Sequence, residues 1–172
     1  MAEELFLIDD FSAETSRLGT SWEGFTDQVM GGASRMESAL VPGEQGRALR
    51  MSGQVSLKNN GGFIQMRLLL DPRKRPFDAS SYTGIFLRVR GRDQGYYVHL
   101  RTPRTIFPWA YYGQSFPVSG EWTTVRLPFA DFLPRNMGGG PPDSGKLVSL
   151  AIVAYGREFN AELFVQSVGF YR

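Results

Sequence analysis

The sequence predicts an all-β protein, an antiparallel β-sandwich of the jelly-roll kind. The chain has 172 residues, of which 13% are aromatic and 20 are glycine, a composition typical of short strands joined by tight turns. About ten segments alternate apolar and polar residues with the period of two that a half-buried strand shows. No long segment carries a helical period. We therefore expect a single jelly-roll domain over residues 1–172.

Four strands are predicted in the first half of the chain, each bounded by residues that favour turns. The clearest signal is in segment 48–57, where every second residue from Leu49 to Leu57 is apolar or glycine and the others are polar. Segment 12–21 has only weak helical or loop character, and we assign it no structure. The predicted strands are residues 5–11, 34–40, 48–57 and 63–70.

Six further strands are predicted in the second half. Residues 93–95 are typical of a hairpin turn, so we expect the strands on either side of them to pair. In the last strand, simple alternation places Ser167 on the face of Leu163 and Val168 on the other face. Segment 131–145, rich in Pro and Gly, is predicted to be an ordered surface loop. The predicted strands are residues 84–90, 96–102, 107–113, 122–129, 147–154 and 162–171.

The sequence offers little for catalysis. It has no cysteine, which excludes disulfides, a thiol nucleophile and thiolate metal sites. His99 is the only histidine, and on the outward face of a strand a lone histidine is more often a surface residue than a general base. We predict no catalytic residue, no cofactor and no metal. Two alternatives stay open: a structural calcium at Asp9 and Asp10, and a hydrolase that uses Asp27 or Asp143.

The sequence offers more residues suited to binding than to catalysis, because arginines and aromatic residues recur at outward-facing positions of several predicted strands. Forked guanidinium donors beside aromatic rings suit a sugar ring, an acidic glycan or the carboxylates of a protein partner. The alternative is that loops or the last strand cover this face. Single-stranded nucleic acid is a poorer candidate, because the net charge is only +2. The predicted binding residues are Arg67, Arg88, Arg90, Tyr97, His99, Arg101, Trp109 and Tyr111.

Two diglycine segments separate predicted strands, at residues 22–34 and 59–63. Each needs a backbone with positive φ or a very close approach of two chains. We predict a structural role in which the two segments dock against each other at one end of the sandwich, with Trp22 and Met30 filling core space. A recognition surface is the alternative. The residues concerned are Trp22, Asp27, Met30, Gly31, Gly32, Ser34, Asn59, Asn60, Gly61, Gly62 and Phe63.

These segments resemble the complex I intermediate-associated protein 30 family. The resemblance rests on the run Phe-Thr-Asp-Gln-Val-Met-Gly-Gly-Ala-Ser at 25–34, on Asn-Asn-Gly-Gly-Phe at 59–63 with Arg67, and on the closing residues 168–172. Ala33 is a small departure from the family pattern. The resemblance implies a galactose-binding-like jelly roll. It also implies kinship with mitochondrial assembly factors for respiratory complex I, and this chain looks like a stand-alone bacterial member.

The leading functional hypothesis is therefore a non-enzymatic binding module, an assembly or chaperone-like factor for complex I or another multi-subunit enzyme. A carbohydrate-binding module is the alternative. The acidic N-terminus has an apolar run of only four residues and no segment approaches the ~20 apolar residues of a membrane span, so we expect a cytoplasmic protein. Residues 72–76 form a basic loop that we expect to be solvated, with a phosphate contact as the alternative.

Overall fold

Twelve strands form two antiparallel sheets in residues 4–172, the part of the chain that this computed structural model describes, apart from the side chain of Asn60. Part of the acidic N-terminus discussed above, residues 1–3, lies outside the described residues. Short 3-10 turns occupy Asp27–Met30, Lys58–Asn60 and Phe129–Asp131. The strands are β1 (Leu5–Asp9), β2 (Glu23–Thr26), β3 (Arg35–Pro42), β4 (Arg47–Val55), β5 (Phe63–Leu69), β6 (Gly84–Arg92), β7 (Tyr96–Arg101), β8 (Tyr111–Phe116), β9 (Thr123–Pro128), β10 (Leu133–Arg135), β11 (Ser149–Tyr155) and β12 (Phe159–Tyr171).

Both sheets have six strands. Sheet I has the order β3-β4-β12-β6-β9, and β1 pairs with the second half of β12 beside β4. Sheet II has the order β10-β8-β7-β11-β5-β2. The strands are antiparallel throughout, and the prediction of an all-β jelly-roll sandwich is confirmed.

The core lies between the two sheets and is built from the apolar faces of their strands. In sheet II, Ile64 and Leu68 of β5 are fully buried, and in sheet I so are Ile85 and Leu87 of β6. Each such side chain contributes roughly 1.5–3 kcal/mol on burial. The strict alternation in β5, β6 and β7 therefore fixes which residues face outward, and this positions every candidate binding residue on those strands.

The predicted pairing of the strands on either side of residues 93–95 is wrong. β6 pairs with β12 and β9 in sheet I, whereas β7 pairs with β11 and β8 in sheet II. The turn therefore crosses between the layers, and the apolar faces of β6 and β7 meet across the core. A hairpin would bury the same apolar residues, so alternation alone does not distinguish the two arrangements.

The prediction for the last strand is wrong beyond Val165. The register of β12 against β6 shifts between Val165 and Ser167, the signature of a β-bulge. The extra residue moves Val168 and Phe170 onto the core face, where both are fully buried. Ser167 faces outward instead.

Three strands begin or appear where the sequence predicts otherwise. One is β2, which lies within the diglycine segment at 22–34. The strand expected from Phe107 begins at Tyr111, and residues 102–110 form a loop. The loop expected at 131–145 contains the short strand β10, which pairs with β8. None of the described helical turns is long and apolar enough to cross a membrane.

Candidate binding site

The two diglycine segments meet around the buried carboxylate of Asp27, at the end of sheet II where β2 and β5 pair. Its Oδ1 accepts a hydrogen bond from the backbone N–H of Ser34 at 2.9 Å. Its Oδ2 accepts from the hydroxyl of Ser34 at 2.5 Å and from the N–H of Gly62 at 2.6 Å. A longer bond of 3.4 Å comes from the N–H of Phe63. One carboxylate thus joins its own 3-10 turn to the backbone at Ser34 and at Gly62–Phe63.

The glycines of each pair have different roles. Gly31 has φ of +83° and Gly62 has φ of +139°, conformations that side chains with a Cβ disfavour. Gly32 and Gly61 instead lie against Asp27, and a Cβ on either would overlap its carboxyl group. In each pair, one glycine supplies the turn and the other leaves room for the carboxylate.

The pKa of Asp27 reflects these contacts. Burial by itself would raise the pKa of this carboxyl group, but the hydrogen bonds from Ser34, Gly62 and Phe63 lower the pKa below its ordinary value. Asp27 is therefore ionised at neutral pH. It is fully buried and accepts hydrogen bonds from the protein's own backbone and from Ser34, which argues against its use as the acid of a hydrolase.

Three other residues of these segments differ in their contacts and in their exposure to solvent. Asn59 adopts the expected left-handed backbone with φ of +56°, and its amide donates to the carbonyl of Gly31 at 3.1 Å. Trp22 packs on Phe11 at the edge of the core. The prediction that Met30 fills core space is wrong, because 61% of Met30 is exposed. The side chain of Asn60 lies outside the described residues.

The acids near the first strand also have protein partners. Asp9 accepts hydrogen bonds from Trp22 Nε1 and from the N–H of Phe11, both at 2.8 Å. Asp10 accepts from the hydroxyl and N–H of Ser12. Within residues 4–172, no three His, Cys, Asp or Glu side chains are grouped so that they could hold a metal ion.

The structure divides the predicted arginine and aromatic set between two opposite surfaces. Because β6 belongs to sheet I, Arg88 and Arg90 lie on the outer face of that sheet, away from β7. Arg88 forms a two-pronged ion pair with Glu44, with N–O distances of 3.0 and 2.8 Å. The guanidinium of Arg90 lies over Phe164 and Trp122. The grouping of these two arginines with β7 is therefore corrected.

The outer face of sheet II brings the other predicted residues together. The register places Arg67 of β5 and His99 of β7 on either side of Ala151 in the central strand β11. Arg67 lies over the ring of Phe25 at 4.6 Å and near the carboxylate of Glu23 at 3.8 Å. The small side chain of Ala151 leaves a low centre between these larger neighbours.

An aromatic cluster occupies the β7 side of this face. His99 stacks on Tyr111 with ring centroids 3.8 Å apart, and Tyr155 meets the edges of both Tyr97 and His99. Burial, with a smaller contribution from the Arg135 cation, lowers the pKa of His99 to about 3. Burial, together with the neighbouring Tyr155, raises the pKa of Tyr111. Both side chains are neutral at pH 7, and an imidazole with so low a pKa is a poor general base.

Arg101 lies on the same face but serves the adjoining loop. Its guanidinium donates to the carbonyls of Thr105 and Ala110 at 2.8 Å, of Pro108 at 3.0 Å and of Phe107 at 3.3 Å. Trp109 lies in this loop, and 59% of it is exposed. The structure thus places Arg101 as a support for the loop and Trp109 at its surface.

Tyr155 belongs to this cluster, and sequence reasoning missed it. The predicted strand at 147–154 is a continuous apolar run, which hides its two faces. A signal exists nonetheless, because Tyr155 is two residues after Val153 and four after Ala151, so it shares their outward face.

Solved structures with the same fold include carbohydrate-binding modules. A family 11 module from a cellulosomal cellulase of Clostridium thermocellum has a TM-score of 0.77 and 16% identity, over 99% of this chain and 95% of that one. The same kind of module in complex with a β-1,3-1,4-mixed-linked tetrasaccharide has a TM-score of 0.68 and 16% identity, with coverage of 98% and 94%. A family 30 module from the same organism has a TM-score of 0.60 and 14% identity, with coverage of 87% and 90%.

No curated protein matches the chain. A family model, described as complex I intermediate-associated protein 30, matches residues 10–157. That range contains both diglycine segments and the whole of the aromatic cluster. The chain therefore belongs to the complex I intermediate-associated protein 30 family.

Proposed function

We propose that the protein is a non-catalytic binding module that acts as an assembly factor, for respiratory complex I or for another multi-subunit enzyme. Family membership over residues 10–157 carries this proposal. The outer face of sheet II is the surface proposed for the partner. It offers the exposed edge of Tyr155, the rings of Tyr97 and Tyr111 and the cation of Arg67, the kinds of residue that dominate protein interfaces.

The chemistry of this face supports binding over catalysis. His99 stacks on Tyr111 and is neutral, and the carboxylate of Asp27 is hydrogen-bonded to the backbone at the end of the sheet. What remains on the face is the ring surface of Tyr97, Tyr111 and Tyr155, beside the cation of Arg67. Such a surface recognises a partner by shape and by a few hydrogen bonds.

Co-purification from the native host tests this proposal. Tagged wild-type protein should recover subunits of an oxidoreductase or another large enzyme, and Tyr155→Ala should recover less than a tenth as much. Trp122→Ala, a similar truncation on the outer face of sheet I, serves as the matched control and should recover the wild-type amount. Repeated recovery of no subunit by the wild-type protein would refute the assembly role.

A second candidate is a carbohydrate-binding module, favoured by the aromatic cluster on a face that the described loops leave partly exposed. Tyrosine and tryptophan rings stack on the apolar faces of sugars. The β-1,3-1,4-mixed-linked tetrasaccharide, with which a structural neighbour forms a complex, is a suitable first probe.

Calorimetry with this tetrasaccharide separates the two candidates. If sugar binds here, Tyr155→Ala or Trp109→Ala should weaken binding about tenfold, and Trp122→Ala should not. Absence of heat at millimolar sugar, across a panel of glycans, would remove this candidate and leave the assembly role intact.

A further inference from the structure

The loop at residues 102–110 exposes an unusually apolar surface to water. Residues 106–109 read Ile-Phe-Pro-Trp, and all four are exposed. The exposed fraction is 79% for Ile106, 54% for Phe107 and 59% for Trp109. Single exposed apolar residues are ordinary, but a continuous run of this kind indicates a surface that binds something.

The loop is held in a defined shape from beneath. Its polar residues Thr102 and Thr105 are buried, and the hydroxyl of Thr105 donates to the carbonyl of Thr102 at 2.7 Å. Phe107 and Trp109 stack in nearly parallel planes, with centroids 5.0 Å apart and an angle of 6°. The apolar run is thus presented on a fixed base.

Most backbone carbonyls of the loop accept hydrogen bonds from groups inside the protein. Arg101 donates to those of residues 105, 107, 108 and 110, and the side-chain amide of Asn136 donates to the carbonyl of Trp109 at 2.8 Å. These groups need no water. Because these carbonyls are already bonded, moving the loop from water into a lipid layer costs less than it would with the same carbonyls unpaired.

The charges on the loop itself and on the strand beside it are positive. Between Asp93 and Glu121 the chain has no acidic residue, and the exposed Arg104 belongs to the loop itself. The exposed Arg135 lies alongside, because its backbone pairs with Tyr111. The basic residues 72–76 follow β5 at the same end of sheet II. The backbone of Val148 shows this, because it bonds both to Arg101 at the end of β7 and to Leu70 after β5.

We propose that the loop at residues 102–110 inserts its apolar tip into the interfacial region of an anionic lipid bilayer. Ile106, Phe107 and Trp109 enter the boundary between headgroups and acyl chains, where aromatic rings are favoured. Arg104 and Arg135 contact the anionic headgroups. The inference does not depend on the proposed assembly role, because it uses the loop tip instead of the aromatic cluster and a lipid instead of a protein partner.

Co-sedimentation with vesicles tests the inference. Full-length protein should bind vesicles of phosphatidylcholine with phosphatidylglycerol, and more weakly those of phosphatidylcholine alone. Ile106→Glu should reduce binding at least tenfold, because it places a charge at the inserted tip. Arg104→Gln should reduce binding to the anionic vesicles about fivefold, an effect that added salt should diminish.

Val29→Glu is the matched control. Val29 is 71% exposed and lies near Asp27, at the opposite end of sheet II from the loop. The Val29→Glu variant should therefore bind vesicles as well as the wild type does. Equal losses in Val29→Glu and Ile106→Glu would overturn the inference, as would wild-type protein that binds neither vesicle. If Ile106→Glu loses co-purified subunits while the wild type binds no lipid, the loop is a protein interface instead.

Discussion

Asp27 and Arg101 organise loops at opposite ends of sheet II by the same device with opposite charge. The Asp27 carboxylate gathers backbone N–H groups from two diglycine segments, and the Arg101 guanidinium gathers backbone carbonyls from one loop. In both places a charged side chain replaces the hydrogen bonds that a regular strand would supply.

The two ends differ in what they expose. Asp27 is fully buried, and Gly32 and Gly61 let both diglycine segments approach it closely. Arg101 is only half-buried, and the residues that it supports turn apolar side chains outward. We therefore expect the Asp27 end to contribute mainly to stability, whereas the Arg101 end shapes the exposed loop for which we propose membrane binding.

The largest effect is expected from Gly61→Ala. The new Cβ would overlap Asp27, so the carboxylate must move and lose hydrogen bonds, at a cost of about 3 kcal/mol in the free energy of unfolding. Urea denaturation measures this change. Gly120→Ala is the control, because nothing lies within 4 Å of its added Cβ, and it should change stability by less than about 0.5 kcal/mol. Equal effects in the two variants would contradict a structural role for the Asp27 end.

A smaller, pH-dependent effect is expected from Asp27→Asn. The folded state lowers the pKa of Asp27, so its stabilisation is fully present above the unfolded-state pKa of about 3.9 and is lost as the pH falls through the lower folded-state pKa. The variant should be about 2 kcal/mol less stable than wild type at pH 7. This difference should shrink below about pH 4 in urea titrations. A difference that is constant from pH 7 to pH 3 would show that ionisation of Asp27 is irrelevant.

The smallest effect on stability is expected from Arg101→Met. The loop carbonyls lose their donor but can turn to water, so the free energy of unfolding should fall by only about 1 kcal/mol. Hydrogen exchange should report a larger local change, with faster exchange at the N–H of Ala110, which bonds to Phe107. Arg104→Met, on the exposed part of the same loop, should leave that exchange rate unchanged. Unaltered exchange in Arg101→Met would separate Arg101 from the order of the loop.

Local patterns predicted much of this molecule because they depend on neighbouring residues alone. Alternation in β7 correctly placed Tyr97, His99 and Arg101 on one outward face. The diglycine segments correctly indicated close approach and positive φ. Alternation failed at β12, where one bulged residue reverses every later side chain and leaves no mark in composition. It also failed for Met30, whose apolar character says nothing about whether a core lies nearby.

The sequence by itself determined most of the strands, the all-β sandwich and the family, because apolar periodicity and glycine motifs are local properties of the chain. Tertiary structure alone decided which sheet each strand joins, since hairpin and interlayer turns bury the same residues. That choice separated Arg88 and Arg90 from Tyr97 and His99. Tertiary structure also decided which glycine of each pair faces Asp27. It showed that Arg101, a candidate binding residue by sequence, supports an exposed loop. Alternation within a strand predicts neither result, because each depends on contacts outside that strand.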